Sequence, residues 1–474
     1  MIDTDHEELQ LFGRPLFNDP SMRALSRVGV VDVGSNSVRL VVFDGAARSP
    51  AYFYNEKIMC ALGAGLPETG KLNPRGRARA LAAIRRFQLL ARDMDILPLT
   101  AVATAAVRDA EDGPEFCAEV LQQTGLELFV IDGQEEARLT SQGVLLGWPT
   151  ANGLVCDIGG SSMELAEVAE GQVGRCITSE LGPLKLSNIK GGKRGLKKHI
   201  DAALEEMFRQ IPVQKQRLFL VGGSWRAIAR RTGISASRMT LVPTACEVLK
   251  RLIRKFKPRE IAVSSYGIRE GMLYEQMPQT LRDRDPLIEA CRHAEDKDAR
   301  WPGFGSKLYK FISPLFKGAN ADRKRLIRAA CLLHDVTWRA HPDYRAEVCF
   351  DNATRANLGG LRHRERVFLG LALLHRYKST PGSSRFEPLI GLLSEREVRD
   401  AQTVGKAMRF GAMLTLDSVH DQAELRYFPK KKQLHLRLSD KATGLFGEVA
   451  EARFQSLANT LGAEVEIKKL RRKG

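Results

Sequence analysis

Two stretches of the chain are near copies of each other: Val31-Asp32-Val33-Gly34-Ser35-Asn36-Ser37 and Val155-Cys156-Asp157-Ile158-Gly159-Gly160-Ser161-Ser162. Each is an apolar run that ends in Asp and a loop of small residues. Gly and Ser let backbone N–H groups approach an anion closely, and an Asp at the strand's end can hold a cation that neutralises it. The copies align at a constant offset through Arg39-Leu40 and Glu164-Leu165, which predicts two related half-domains facing one phosphate. Arg39 in the first copy answers to Glu164 in the second. One loop can therefore present cationic and amide groups, while the other adds a carboxylate for a metal.

Between the loops, Ile131-Asp132-Gly133-Gln134-Glu135-Glu136 delivers two carboxylates at a predicted helix start. The helix dipole favours acids there in any case. The alternative is that one of them orients and deprotonates a water, as hydrolysis of a phosphoanhydride requires. Ala103-Thr104-Ala105-Ala106-Val107-Arg108 places a guanidinium just past a buried strand. There it can clamp a phosphate through two N–H bonds or form an ordinary surface ion pair.

The elements that must position these groups follow from hydrophobic period. Residues 28–44 read as a hairpin around the first loop, and 74–95 as a helix with apolar residues at Ala78, Leu81, Ile84 and Phe87. Strands at 97–104 and 128–131 alternate with helices at 116–124 and 134–146, which predicts an α/β half. The second half begins at the strand 154–157 and continues through a hairpin, a basic glycine-containing segment at 190–198, a helix, and a strand at 218–221. From about 284 to 410 the period is helical; then strands at 424–428 and 433–438, a helix at 447–461 and a strand at 464–468 close the chain.

A chain of 474 residues is too long for one core. It has 43% hydrophobic and 27% charged residues and no apolar run of membrane-spanning length, and its acidic start, Met1-Ile2-Asp3-Thr4-Asp5-His6-Glu7-Glu8, lacks the regions of a signal peptide. A cytoplasmic protein is expected. Its eight cysteines show no CxxC or Cys/His pairing and read as reduced core thiols. Of the net charge of +17, residues 1–280 carry +4 and residues 281–474 carry +13. Such a field attracts polyanions, although Lys430-Lys431-Lys432 and the basic run at 468–473 read more simply as solvated charge.

The motifs in sequence order resemble the exopolyphosphatase and guanosine pentaphosphate phosphohydrolase (Ppx/GppA) family, in its long bacterial form. They are the two loops, Ala103-Thr104-Ala105-Ala106-Val107-Arg108, Gly133-Gln134-Glu135-Glu136-Ala137-Arg138-Leu139 and Tyr266-Gly267-Ile268-Arg269-Glu270-Gly271. The resemblance implies an α/β fold of two actin-like, ribonuclease-H-like halves around a cleft, at 1–148 and 149–283. A mainly helical HD-like domain at 284–410 and a small α+β region at 411–474 would follow. It also implies roles: Glu136 as general base, Arg108 on phosphate, and Asp32, Asp157 and Glu164 holding Mg2+ or another divalent metal. Gly34, Ser35, Asn36 and Ser37 with Arg39, and Gly159, Gly160, Ser161 and Ser162, would bind phosphate. The family's second loop usually has a third glycine where Ser161 stands.

The activity implied is release of terminal orthophosphate from inorganic polyphosphate, with hydrolysis of guanosine pentaphosphate (pppGpp) as the alternative or as a second activity. An actin-like sugar kinase or ATPase, or a polyanion-binding protein without catalysis, are weaker readings. The bulky Trp225, where such kinases hold adenosine, argues against the first. A homodimer is expected, with no specific nucleic acid and no membrane span. Finally, His334-Asp335 resembles the metal pair of HD phosphohydrolases, but only His293, His363 and His375 could complete it. A structural, vestigial domain is the expectation there.

Overall fold

The computed structural model describes residues 22–96, 99–211, 217–223, 225, 242–378, 384–414 and 419–470. The acidic start, Ser224 and the basic residues 471–473 lie outside them. The chain divides between Arg284 and Asp285 into two compact units.

The N-terminal unit holds two five-stranded sheets of the same design. The first contains β1 (Ala24–Val33), β2 (Ser37–Ala46), β3 (Ser49–Met59), β4 (Leu99–Ala103) and β5 (Leu128–Val130), in the order β3-β2-β1-β4-β5. The second contains β6 (Gly153–Ile158), β7 (Met163–Ala169), β8 (Gln172–Ser179), β9 (Arg217–Val221) and β10 (Glu260–Val263), in the order β10-β9-β6-β7-β8. In each sheet the first three strands are antiparallel and the last two join in parallel. This is the ribonuclease-H-like sheet built twice, the two related halves that the repeated motif predicts and the actin-like α/β arrangement that the family resemblance implies.

The central strands are buried on both faces, with Val31, Val33, Ala101, Val102, Cys156, Leu218 and Phe219 at 0% exposure. That is why they read as unbroken apolar runs. Two edge strands escaped the hydrophobic pattern. β3 exposes most of its residues, and β10 has no buried residue, so neither displays an apolar face. The basic segment at 190–198 proves to be mostly helix, since the helix Gly192–Gln210 already covers it.

Two helices cross at the centre of the unit, Gly133–Gly147 and Ile268–Glu275. Their backbones touch because glycines face each other. A Cβ on Gly143 would lie 2.1 Å from Gly267 O, and one on Gly271 would lie 1.7 Å from Leu139 O. Only glycine permits that approach.

The C-terminal unit packs helices around a three-stranded sheet, β11 (Ala423–Phe428), β12 (Gln433–Leu438) and β13 (Glu464–Lys469), in that order. The Phe410 ring lies 5.9 Å from Phe311 and 5.1 Å from Phe454, so the helical stretch and the α+β tail share one core. Lys430, Lys431 and Lys432 are exposed at the hairpin turn. All eight cysteines are free, and burial pushes several thiols, including Cys156 and Cys331, up. Among the described residues no helix is long and apolar enough to cross a membrane.

Candidate active site

The two loops adopt the same turn. Gly34 N donates to Ser37 O at 3.1 Å, and Gly159 N donates to Ser162 O at 3.0 Å. Each turn joins an antiparallel pair in which Asp32 lies opposite Arg39 and Asp157 opposite Glu164. The loops also meet: the Ser35 and Ser161 hydroxyls are 3.2 Å apart. Ser161 is absent from the positive-φ residues, so its place in the loop does not demand glycine. Its hydroxyl instead links the two halves.

A cleft of about 210 Å³ opens over these loops. Its wall includes Asp32, residues 34–37, Arg39, Asp157, Gly159 and Gly160, together with Lys57, Gly222 and Arg269. Glu136, Arg108, Glu164, Ser161 and Ser162 do not line it. Gly222 has φ +102°, and a Cβ there would fall 2.5 Å from Asp157 Oδ1. The backbone after β9 is thus folded closely over the second Asp.

The paired carboxylates on the Gly133–Gly147 helix part company. Asp132 caps the helix by accepting from Glu135 N at 2.7 Å. Glu135 accepts twice from Arg138, whose other arm reaches Glu275 at 2.8 Å. Glu135 is thereby held in a structural ion pair. Glu136 points elsewhere: among the described residues its Oε2 has no hydrogen-bond partner, and Arg108 Nη1 stands 3.7 Å from it. Arg108 also donates to Ile131 O at 3.0 Å, which ties it to the start of the same helix.

Electrostatics bring the predicted acids together. Burial pushes the Glu136 carboxyl well above the usual range, the charges of Glu164, Asp157 and Asp32 add to this, and Arg108 opposes it. Glu164 is 1% exposed and is pushed up to about 8, by burial first and then by Asp157. Its Oε1 accepts from Thr178 at 3.2 Å, while among the described residues its Oε2 has no hydrogen-bond partner. Asp157 accepts from Thr140 at 3.3 Å. Orphaned carboxylate oxygens crowded in a poorly solvated place are what a divalent cation relieves. Among the described residues no three His, Cys, Asp or Glu side chains form a ready cage for a metal. Oxygen donors of this kind suit a hard divalent cation, which can take one or two carboxylates and complete its shell with water and substrate oxygens.

Arg269 is the residue that sequence reasoning left without a role. It opens the Ile268–Glu275 helix and donates from Nη1 to Asp32 Oδ2 at 3.1 Å, while among the described residues its Nε has no partner. Its motif neighbours are structural: Glu270 is 0% exposed and accepts from Gly267 N at 2.7 Å and Tyr52 OH at 2.8 Å. The available signal was a cation set between glycines in Gly267-Ile268-Arg269-Glu270-Gly271.

The chain is 31% identical over 270 residues to exopolyphosphatase 1 of Mycobacterium tuberculosis, covering 53% of this chain and 78% of that protein. The chain belongs to the Ppx/GppA family. The family model described as "Ppx/GppA phosphatase family" matches residues 41–236, and that described as "Exopolyphosphatase, C-terminal" matches residues 310–468. A guanosine-5'-triphosphate,3'-diphosphate pyrophosphatase of Aeromonas salmonicida is 24% identical over 357 residues, covering 65% of this chain and 72% of that one. Among solved structures, an exopolyphosphatase of Cytophaga hutchinsonii is similar at a TM-score of 0.48 and 21% identity, over 53% of this chain and 98% of that chain. The Aquifex aeolicus Ppx/GppA member is similar at 0.47 and 20%, over 53% and 97%.

In the C-terminal unit of this Ppx/GppA chain, the His334-Asp335 pair is engaged by groups of the protein itself. Arg300 donates to both Asp335 oxygens, at 3.0 Å from Nε and 2.5 Å from Nη2, and its backbone N adds a third bond at 3.1 Å. His334 Nδ1 lies 2.8 Å from Cys331 O, and burial pushes its imidazole down to about 3. His375 is buried and His363 exposed. Trp225, 1% exposed, packs in the core of the second half.

Proposed function

We propose that the chain is an exopolyphosphatase, a hydrolase that releases terminal orthophosphate from inorganic polyphosphate with water as acceptor. The observation that carries this is Glu136. Its Oε2 is buried and has no hydrogen-bond partner among the described residues, and burial and the neighbouring carboxylates push the carboxyl well above its ordinary range, which makes it more basic than an exposed glutamate. Such a group beside two phosphate-type loops suits activation of a water better than transfer to a sugar.

In this reading Glu136 orients the attacking water and takes its proton. Arg108, 3.7 Å away, touches a phosphate oxygen, and its charge opposes the upward shift of the Glu136 carboxyl. The amides and hydroxyls of residues 34–37 and 159–162, with Arg39, hold the terminal phosphates. Asp157 and Glu164, with Asp32 from the other half, would hold Mg2+, whose contribution is to neutralise phosphate charge. The enzyme is cytoplasmic and dimeric, and the basic surface beyond residue 280 attracts the polymer.

The similarity to the Aeromonas salmonicida enzyme supports a second reading, hydrolysis of pppGpp at the same site. Phosphate release from long-chain polyphosphate and from pppGpp, each with and without Mg2+, separates the two. Turnover of the nucleotide alone overturns the leading reading; turnover of both makes pppGpp a second substrate.

A further inference from the structure

Given the polyphosphate reading of the active site, on which this depends, we infer that the basic start of the helix Gly192–Gln210 is the surface that holds the part of a polyphosphate chain lying outside the cleft. It makes the enzyme favour long chains over short ones. Residues 190–198 include Lys190, Lys193, Arg194, Lys197 and Lys198 and no acid. All five are exposed, and among the described residues none pairs with a carboxylate. The acids further along the same helix are already taken: Asp201 by Arg251, Glu205 by Lys255, and Glu206 by Arg209 at 2.8 Å. An ordinary solvated helix alternates its charges, whereas here one end keeps its cations unneutralised.

The fold carries these cations to the phosphate end of the second half. Leu184 lines the cleft, and its N donates to Gly160 O at 2.9 Å. Shortly after it, Asn188 Nδ2 donates to Glu68 Oε1 at 2.6 Å, which puts the chain at the rim where the halves meet, just before Lys190. The other acids of this rim, Asp109 and Glu180, accept from Lys185 at 3.4 and 2.9 Å. At its far end the helix leads into Ile211, which lines one cavity with Gly153 and Leu154 at the start of β6. The helix therefore runs back along β6, and its first turns lie at the strand's carboxyl end, where residues 159–162 turn. Its 19 residues span about 28 Å and the 6 of β6 about 20 Å, so the helix overhangs the strand by roughly 8 Å. The side chains agree, because the buried stripe of Ile200, Leu204, Met207 and Phe208 begins only at Ile200. Lys193 and Lys197, earlier on that same stripe, are exposed. The inward side of the overhang is thus lysine, turned over the end of the sheet that bears the phosphate loop.

A lysine is a point charge that any phosphate oxygen satisfies, so a mainly lysine surface holds a polyanion without fixing its register. That suits a chain that must advance each time its terminal phosphate leaves. The test compares kcat/KM for long-chain polyphosphate and for tripolyphosphate, in the full chain and in a variant carrying Lys193→Gln, Lys197→Gln and Lys198→Gln. The long-chain value is expected to fall by roughly tenfold to a hundredfold and its salt dependence to flatten, while the tripolyphosphate value stays within about threefold. Lys193→Arg, Lys197→Arg and Lys198→Arg together keep the charge and should retain the long-chain value. Equal falls for both substrates, no change for either, or loss in the arginine variant as well overturns the landing surface and leaves the polyphosphate reading standing. A wild-type chain that releases no phosphate from polyphosphate of either length overturns both.

Discussion

Arg269 Nη1 donates to Asp32 Oδ2 at 3.1 Å across 237 residues of sequence, so the carboxylate proposed for the metal is already held by a half-buried cation from the other half. When phosphate and metal arrive, that guanidinium can turn from the carboxylate to a phosphate oxygen. Arg269→Lys keeps the charge and loses the fork. We expect KM for polyphosphate to rise by roughly tenfold to a hundredfold with a smaller change in kcat. Steady-state kinetics check this; an unchanged KM removes Arg269 from the phosphate site.

Glu136→Gln is nearly isosteric and cannot accept the proton. Turnover should fall by about a hundredfold to ten-thousandfold, while binding of tripolyphosphate, followed calorimetrically, is retained. Glu135→Gln should leave turnover within about threefold and instead lower stability by up to about 1 kcal/mol, because Glu135 serves Arg138. If the two variants exchange these phenotypes, the base has been assigned to the wrong carboxylate.

The metal-free protein should be more stable at acid than at alkaline pH through this site. The Glu164 carboxyl is raised from 4.5 to about 8 in the folded chain. Its contribution to stability is therefore full below the unfolded value and is lost as pH rises through the folded one. By about pH 9 the loss is on the order of 2–4 kcal/mol, and Glu164→Gln should abolish it. Denaturant titrations of both proteins from about pH 5 to pH 9, without divalent metal, measure the difference. A constant gap between them across that range contradicts the assignment.

Gly222→Ala tests how tightly the backbone covers Asp157. With φ +102° and a Cβ 2.5 Å from Asp157 Oδ1, the added methyl is strained and displaces the carboxylate. A loss of about 1–3 kcal/mol is expected, with reduced divalent-metal affinity measured by titration. Wild-type metal affinity would separate Gly222 from the site.

Asp335→Asn should not change bound metal, measured by elemental analysis, because Arg300 already satisfies that carboxylate. It should lower stability by about 1–3 kcal/mol, the cost of weakening charge-assisted bonds to a buried acceptor. Loss of a bound metal in this variant would restore the HD reading.

Much of the N-terminal unit is legible in the chain because its signals are local. The hairpin loops after β1 and β6 are written in Gly, Ser and Asp at a fixed offset. The central strands show as apolar runs because both their faces are buried. Edge strands β3 and β10 are silent because solvent meets too much of their surface for any apolar pattern to form. Read along the chain, the residues suffice for the duplicated glycine-serine loops, their Asp residues, the difference between Arg39 and Glu164, and the family these motifs belong to. Only folding settles that Glu135 is hydrogen-bonded by Arg138 while Glu136 keeps an oxygen without a hydrogen bond 3.7 Å from Arg108, that Ser161 reaches Ser35, that Arg269 closes on Asp32, and that Arg300 takes Asp335. Each of those choices depends on which distant side chain folding brings within a hydrogen bond's length, and a linear pattern records neighbours along the chain only.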